Sequence, residues 1–241
     1  MADYVGFITN IKPEWMDLAY QCRINGISKE EAKPLIEEKV ALTYKAKENI
    51  LKTRRVLETI FYDTPSWIVD DSLDIYRSLT DEEKLPLYWA LLISTFPIFY
   101  DTCRSVGTIA EYRDVVTITQ ARQPVYEKWG ARNIIHQAVK KVFQTMKDFG
   151  VIVATGKPGA FSLTKHPVAQ TRLVNYLAIA VLTGTDSSYL TWESIIGNRA
   201  LFPFEVNHVT QADIASCSRL CLERMGDDIV IRETLNKSAK P

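Results

Sequence analysis

Most of this chain repeats its apolar residues at helical period, and a few short stretches alternate instead. The clearest stripe runs from Ala131 to Phe149. With Ala131 at zero and about 100° per residue, Ile134, Ile135, Ala138, Val139, Val142, Phe143, Met146 and Phe149 share one broad face. That face is expected to be buried. Asn133, His136, Gln137, Lys140, Gln144 and Lys147 collect opposite it, with Arg132 and Lys141 at the borders. Gly150 stops the helix. A short β-hairpin is predicted next: Val151 to Thr155, a Gly156-Lys157-Pro158-Gly159 turn, then Ala160 to Lys165. The preceding helix is predicted over Thr119 to Trp129, with Gly130 as the break.

Upstream, the pattern is helical and well capped. Pro13 suits a first helical turn and Gly26 follows a last one. Ser28 with Glu31, and Thr80 with Glu83, form capping-box patterns. Thr64-Pro65 starts another helix. From Thr43 to Phe61 the residues Ala46, Ile50, Leu51, Leu57, Ile60 and Phe61 form a stripe. Pro97 is expected to end or kink the Pro86–Phe96 helix, and Gly107-Thr108 to begin the next.

Downstream, Pro167 opens a predicted helix through Leu182, and His166 belongs to its start. Gly184 to Ser188 reads as a loop. Thr191 to Ile196 is a short helix ended by Gly197. Thr210 caps a predicted helix through Met225, ended by Gly226. Asp228 to Glu233 alternates; it adds a third strand to the hairpin or sits at a sheet edge. The tail 236–241 reads as disordered. A soft boundary near Val106–Thr119 divides the chain into an all-helical bundle, residues 1–112, and a unit of residues 113–241 carrying the hairpin and a helical extension. The expected fold class is mostly α with a small β-hairpin or sheet.

Apolar residues make up 46% and charged residues 24%, which is ordinary globular usage with material for a sizeable core. The four cysteines lack framework spacing, so reduced thiols in a cytoplasm are expected. The N-terminus shows no basic region followed by an apolar run, hence no signal peptide. The longest uncharged stretch, Leu85 to Tyr100, holds Pro86 and Pro97 and falls short of the roughly 20 residues of a membrane span. A buried helix is expected there, and no membrane partner.

Charge changes the picture more. The net charge is zero, yet positive and negative residues are segregated. Thr119 to His166 carries Arg122, Lys128, Arg132, Lys140, Lys141, Lys147, Lys157 and Lys165 against Glu127 and Asp148. Residues 39–55 carry Lys39, Lys45, Lys47, Lys52, Arg54 and Arg55 against Glu48. Acids dominate residues 56–84. A helix followed at once by a basic-tipped hairpin is the outline of a winged helix, and the local positive excess suggests nucleic acid. In helix-turn-helix docking the N-terminal part of the second helix reads base edges while its neighbours hold phosphates. Asn133 and Gln137 can pair with adenine. Arg132, Lys140 and Lys147 suit phosphates, and Lys157 would reach the backbone or an adjacent groove. Arg122, His136, Lys141, Gln144 and Lys165 complete that surface; Lys52, Arg54 and Arg55 extend it. Double-stranded DNA is the expected partner. The competing reading is an adapter whose winged helix docks a partner protein.

Chemistry is sparse. Cys217 and Cys221, four apart on the predicted helix and near His208, supply too few ligands for a metal site. Asp70, Asp71 and Asp74 read as the polar side of a helix that buries Ile68, Leu73 and Ile75; a metal-dependent nuclease site there is the weaker reading. No phosphate-cradling glycine motif and no nucleophile elbow occur. The expectation is a non-enzymatic protein without cofactor or metal.

The order of motifs resembles the BrxA-like accessory proteins of the BREX bacteriophage-exclusion systems. The similar segments are Met16-Asp17-Leu18-Ala19 with Gly26-Ile27-Ser28-Lys29-Glu30-Glu31, the basic Lys52-Thr53-Arg54-Arg55-Val56-Leu57, and the apolar Leu87-Tyr88-Trp89-Ala90-Leu91-Leu92-Ile93. Trp129-Gly130, Val142-Phe143 and Phe149-Gly150-Val151-Ile152 follow before the hairpin. Leu201-Phe202-Pro203-Phe204 and Met225-Gly226-Asp227-Asp228-Ile229-Val230-Ile231 complete the series. The resemblance implies a NusB-like helical bundle that binds DNA and supports phage restriction together with other proteins of the defence system.

Overall fold

A computed structural model describes residues 5–185, 187–206 and 210–234, with the main chain alone at Ser66. His208 and the tail 236–241 lie outside the described residues. The chain is mostly helical, with small sheets of two or three strands. Helices α1 (Pro13–Ile24), α2 (Lys29–Ala41) and α3 (Lys47–Glu58) come first, α3 running on into a π-helical turn, Thr59–Asp63. Then come α4 (Ser66–Arg77), a 3-10 turn (Asp81–Glu83), α5 (Leu85–Thr95) and α6 (Pro97–Ala110). Strand β1 (Val115–Thr117) leads into α7 (Ile118–Trp129) and α8 (Asn133–Asp148), followed by β2 (Ile152–Ala154) and β3 (Ala160–Leu163). The rest comprises β4 (His166–Pro167), α9 (Thr171–Thr185), β5 (Leu190–Thr191), α10 (Trp192–Ile196), a 3-10 turn (Arg199–Leu201), β6 (Phe204–Glu205), α11 (Gln211–Ala215), β7 (Leu220–Met225) and β8 (Asp228–Glu233).

Local chemistry fixes many of these bounds. Ser28 and Glu31 form the expected capping box of α2, and Thr80 with Glu83 caps the 3-10 turn. Pro13 and Pro97 stand in the first turns of α1 and α6, where a missing N–H costs nothing. Thr191, expected inside the short helix, instead caps α10, which Gly197 ends as expected.

Helix α5 is apolar on every side, and Pro86 to Ile93 are all buried. It packs against α6 and α9. The Trp89 ring meets Phe99, Phe202 and Phe204 edge-on, and its indole N–H donates to the Ala200 carbonyl at 2.9 Å. One hydrophobic core runs from Val5 to Val206. It is continuous across residue 112, where the sequence places its soft boundary. A smaller cluster packs Ala178, Ile179 and Leu182 of α9 against Ile195, Ile214, Leu220 and Ile231.

Four expectations need correction. First, Thr210 does cap a helix, through a capping box with Asp213, but that helix ends at Ala215. Leu220 to Met225 is a strand paired with Asp228 to Glu233 across a two-residue turn, with Gly226 at φ 65°. Leucines at 220 and 222 fit a strand as well as a helix, and the Gly-Asp turn decides for the hairpin. Second, β8 is the centre of its own sheet, ordered β5-β8-β7, and does not join the hairpin. The third strand there is β1, which gives a sheet ordered β1-β3-β2. Third, Gly107 lies inside α6 and begins nothing. Fourth, α9 starts at Thr171, four residues after Pro167, and runs to Thr185 through Gly184, where a loop is expected; His166 and Pro167 pair with Phe204 and Glu205 in a short parallel bridge.

Candidate nucleic-acid interface

The segment from α6 to β3 carries most of the predicted contact residues. Thr117 opens α7 with a capping box to Gln120, and Gly130 closes it at φ 80°. Three residues later α8 begins. Ile135, Ala138, Val139, Val142, Phe143, Thr145 and Met146 are its buried residues. Burying each large apolar side chain is worth about 1.5–3 kcal/mol, which anchors α8 firmly. The β2–β3 hairpin follows Gly150 as expected, with Ile152 opposite Leu163 and Ala154 opposite Phe161. Phe161 packs on Phe143, so the sheet is tied to the underside of α8.

The outward side of α8 has an order of its own. Set Asn133 at zero; at about 100° per residue, Gln144 and Gln137 fall at about 20° and 40°. These carboxamides make a central strip. Lys140, Lys147 and His136 line one edge, and Lys141 the other. Asn133, Gln137, Lys140, Gln144 and Lys147 are exposed, while His136 and Lys141 are half-buried. Ile134 departs from expectation: it is 49% exposed, whereas Ile135 is fully buried. It lies at the margin of the stripe, where no neighbouring element covers it.

Both ends of α8 are tied down. At its start, His136 Nδ1 lies 2.6 Å from an Arg122 guanidinium nitrogen and 3.1 Å from the Tyr126 hydroxyl. Arg122 also stands over the Tyr126 ring, 5.3 Å from its centroid. An arginine only donates, so Nδ1 accepts and the imidazole proton resides on Nε2. Desolvation, then the charges of Lys140 and Arg122, hold the His136 pKa below its ordinary value. Arg132 donates to the Trp129 carbonyl at 3.2 Å. At the far end, the Thr145 hydroxyl accepts from the Ile11 N–H at 2.9 Å. Asp148 accepts from the Asn10 and Gln144 side-chain amides, each at 2.8 Å. Gln144 is thus engaged with an acid, whereas Asn133 and Gln137 make no side-chain hydrogen bond among the described residues.

The predicted cations separate into two groups. Of the Lys and Arg residues between Thr119 and His166, Lys128 alone forms an ion pair among the described residues, with Asp101 at 2.9 Å. Lys140, Lys147 and Lys157 are exposed and have no acidic partner among the described residues, and Lys157 sits at the hairpin tip. Lys165 points elsewhere, donating to the Phe202 carbonyl at 2.7 Å. On α3, Lys52 pairs with Glu48. Arg54 is held between Glu37 and Glu58 and is only 19% exposed. Arg55 is exposed and, among the described residues, unpaired.

Asp101, Asn10 and Asp148 hold this surface in place, and the sequence pattern does not single them out. Asp101 is 8% exposed and accepts from the Trp129 indole N–H at 2.7 Å. The acidic alternative has no metal geometry: Asp70, Asp71 and Asp74 each face an arginine, Arg23, Arg219 and Arg77 respectively. Among the described residues no group of three or more His, Cys, Asp or Glu converges. Cys217 lies in a turn and Cys221 on β7, so they share no helix. No helix among the described residues is long and apolar enough to cross a membrane. Compared with protein families, with curated proteins and with solved structures, the chain matches none.

Proposed function

We propose that the protein binds duplex DNA, with α6, β1, α7, α8 and the β2–β3 hairpin acting as a winged helix. One observation carries this reading. The outward face of α8 is a strip of carboxamides bordered by Lys140, Lys141 and Lys147, none of them in an ion pair among the described residues. Carboxamides are the groups that bond adenine edges, and lysines neutralise phosphates. The order helix, strand, helix, helix, hairpin supports it, as does the three-stranded sheet. The Arg122 contact with His136 brings a further cation to one edge of α8. Lys157 at the hairpin tip serves as the wing's contact. In this reading Lys52, Arg54 and Lys165 are structural, since each has an intramolecular partner. The resemblance to BrxA-like proteins extends the proposal to a non-enzymatic accessory role in a BREX-like phage-exclusion system, alongside other proteins of that system. The NusB-like label for the helical part belongs to the same proposal. Free cysteines fit a cytoplasmic protein of this kind.

The test is fluorescence anisotropy on a labelled duplex over a range of salt. Log affinity should fall linearly and steeply with log salt. A Lys140→Glu/Lys147→Glu variant should lose at least about tenfold in affinity and about 2 from the salt slope. Its melting temperature should stay near that of the parent, because both side chains are exposed. Unchanged affinity would remove α8 from the interface. No duplex binding at low salt would leave the protein-docking adapter as the better reading.

A further inference from the structure

Ile134 stands in the first turn of α8, 49% exposed, and takes no part in either hydrophobic cluster. A single exposed aliphatic is ordinary on a protein surface. Its neighbours make this one informative. At about 100° per residue it lies about 60° from Gln137 and about 20° from Lys141, beside Asn133. An apolar group, two carboxamides and a lysine thus adjoin around the N-terminal half of the helix, where Asn133 and Gln137 make no side-chain hydrogen bond among the described residues. The major groove offers one matching constellation. Thymine carries the one methyl group on a base edge, and its paired adenine presents the N6 and N7 atoms that an Asn or Gln carboxamide bonds.

We propose that Ile134 is a specificity residue that packs on the 5-methyl group of thymine while Asn133 or Gln137 bonds an adenine edge. The inference rests on the reading of α8 as the helix that enters the groove. It makes the ligand thymine-containing duplex DNA at A·T pairs, in preference to uracil-containing duplex or RNA. Asn133 and Gln137 alone would bond adenine opposite uracil equally well; Ile134 supplies the discrimination.

The experiment uses the full chain. A bound site is selected from a random duplex library, and each of its thymines is replaced singly by deoxyuridine. Affinity is measured for the parent and for Ile134→Ala. At one A·T pair, uracil should weaken the parent about fourfold, the equivalent of about 0.8 kcal/mol for one buried methyl-sized group. Ile134→Ala should bind both duplexes equally and melt at the parent's temperature. The inference is overturned if no thymine in the site responds to uracil, or if Ile134→Ala keeps the uracil penalty. Binding without any sequence preference also overturns it while leaving DNA binding intact. If the parent binds no duplex, the underlying reading fails with it.

Discussion

Asp101 joins α6 to the end of α7, and so sets where α8 begins. Its carboxylate accepts hydrogen bonds from the Trp129 indole N–H and the Lys128 ammonium at an almost closed site. Removing it leaves the indole N–H without an acceptor, an omission worth about 1–3 kcal/mol. Asp101→Ala should therefore melt lower by roughly 2–4 °C per kcal/mol lost for a chain of this size. Asp101→Asn, which keeps an acceptor for the indole, should recover part of the difference in the same circular-dichroism melt. At this scale helical spacing identifies most outward residues of α8. It misplaces Ile134, because a stripe's margin is covered or bare according to neighbours that spacing does not encode. It cannot find Asp101 or Asn10, whose partners lie 27 to 138 residues away. Nor does it tell a free cation from a bound one: Arg54 looks available until Glu37 of α2 is seen beside it.

Gly107 makes the corresponding point for whole elements. The sequence pattern has it begin a helix, yet it sits in mid-helix because the 3-10 turn Arg199–Leu201 crosses α6 there. A Cβ at this position would stand 2.0 Å from the Arg199 carbonyl oxygen and 2.9 Å from the Phe202 Cβ. Gly107→Ala forces backbone apart, and overpacking of this sort costs about 1–3 kcal/mol or more. Its urea midpoint should drop clearly, although alanine is the better helix former. A lone glycine inside a helical pattern has two physical readings, breaker or close approach, and only the crossing turn selects one. Strands are similarly ambiguous. The three residues of β1 are too few to show a period, and Leu220 to Met225 satisfies both periods. The hairpin was legible because Gly156 and Gly159 punctuate it, and the caps because Ser28, Thr80 and Thr210 act within three residues of themselves.

At the scale of the molecule, α9 is the shared member. One side of it packs on α5 in the main core, and another side forms the smaller cluster with β7, β8 and α10. The main core includes Trp89 and Phe202 as direct neighbours. A fragment of residues 113–241 would expose the α9 surface that α5 covers and the aromatic contacts of Trp89. Expressed alone, it should show no cooperative thermal transition, whereas the full chain should. Pairing of α5 with α9 spans the chain and leaves no local mark in the sequence. The clamps on α8 have a further result. With Arg122 and His136 fastened at one end and Asn10 and Ile11 at the other, that helix is a fixed template with little freedom to swivel or slide. In the proposed DNA-binding reading the duplex would then have to do the adjusting, so fit would depend on how readily it bends, and stiff sequences of the wrong curvature would be turned away.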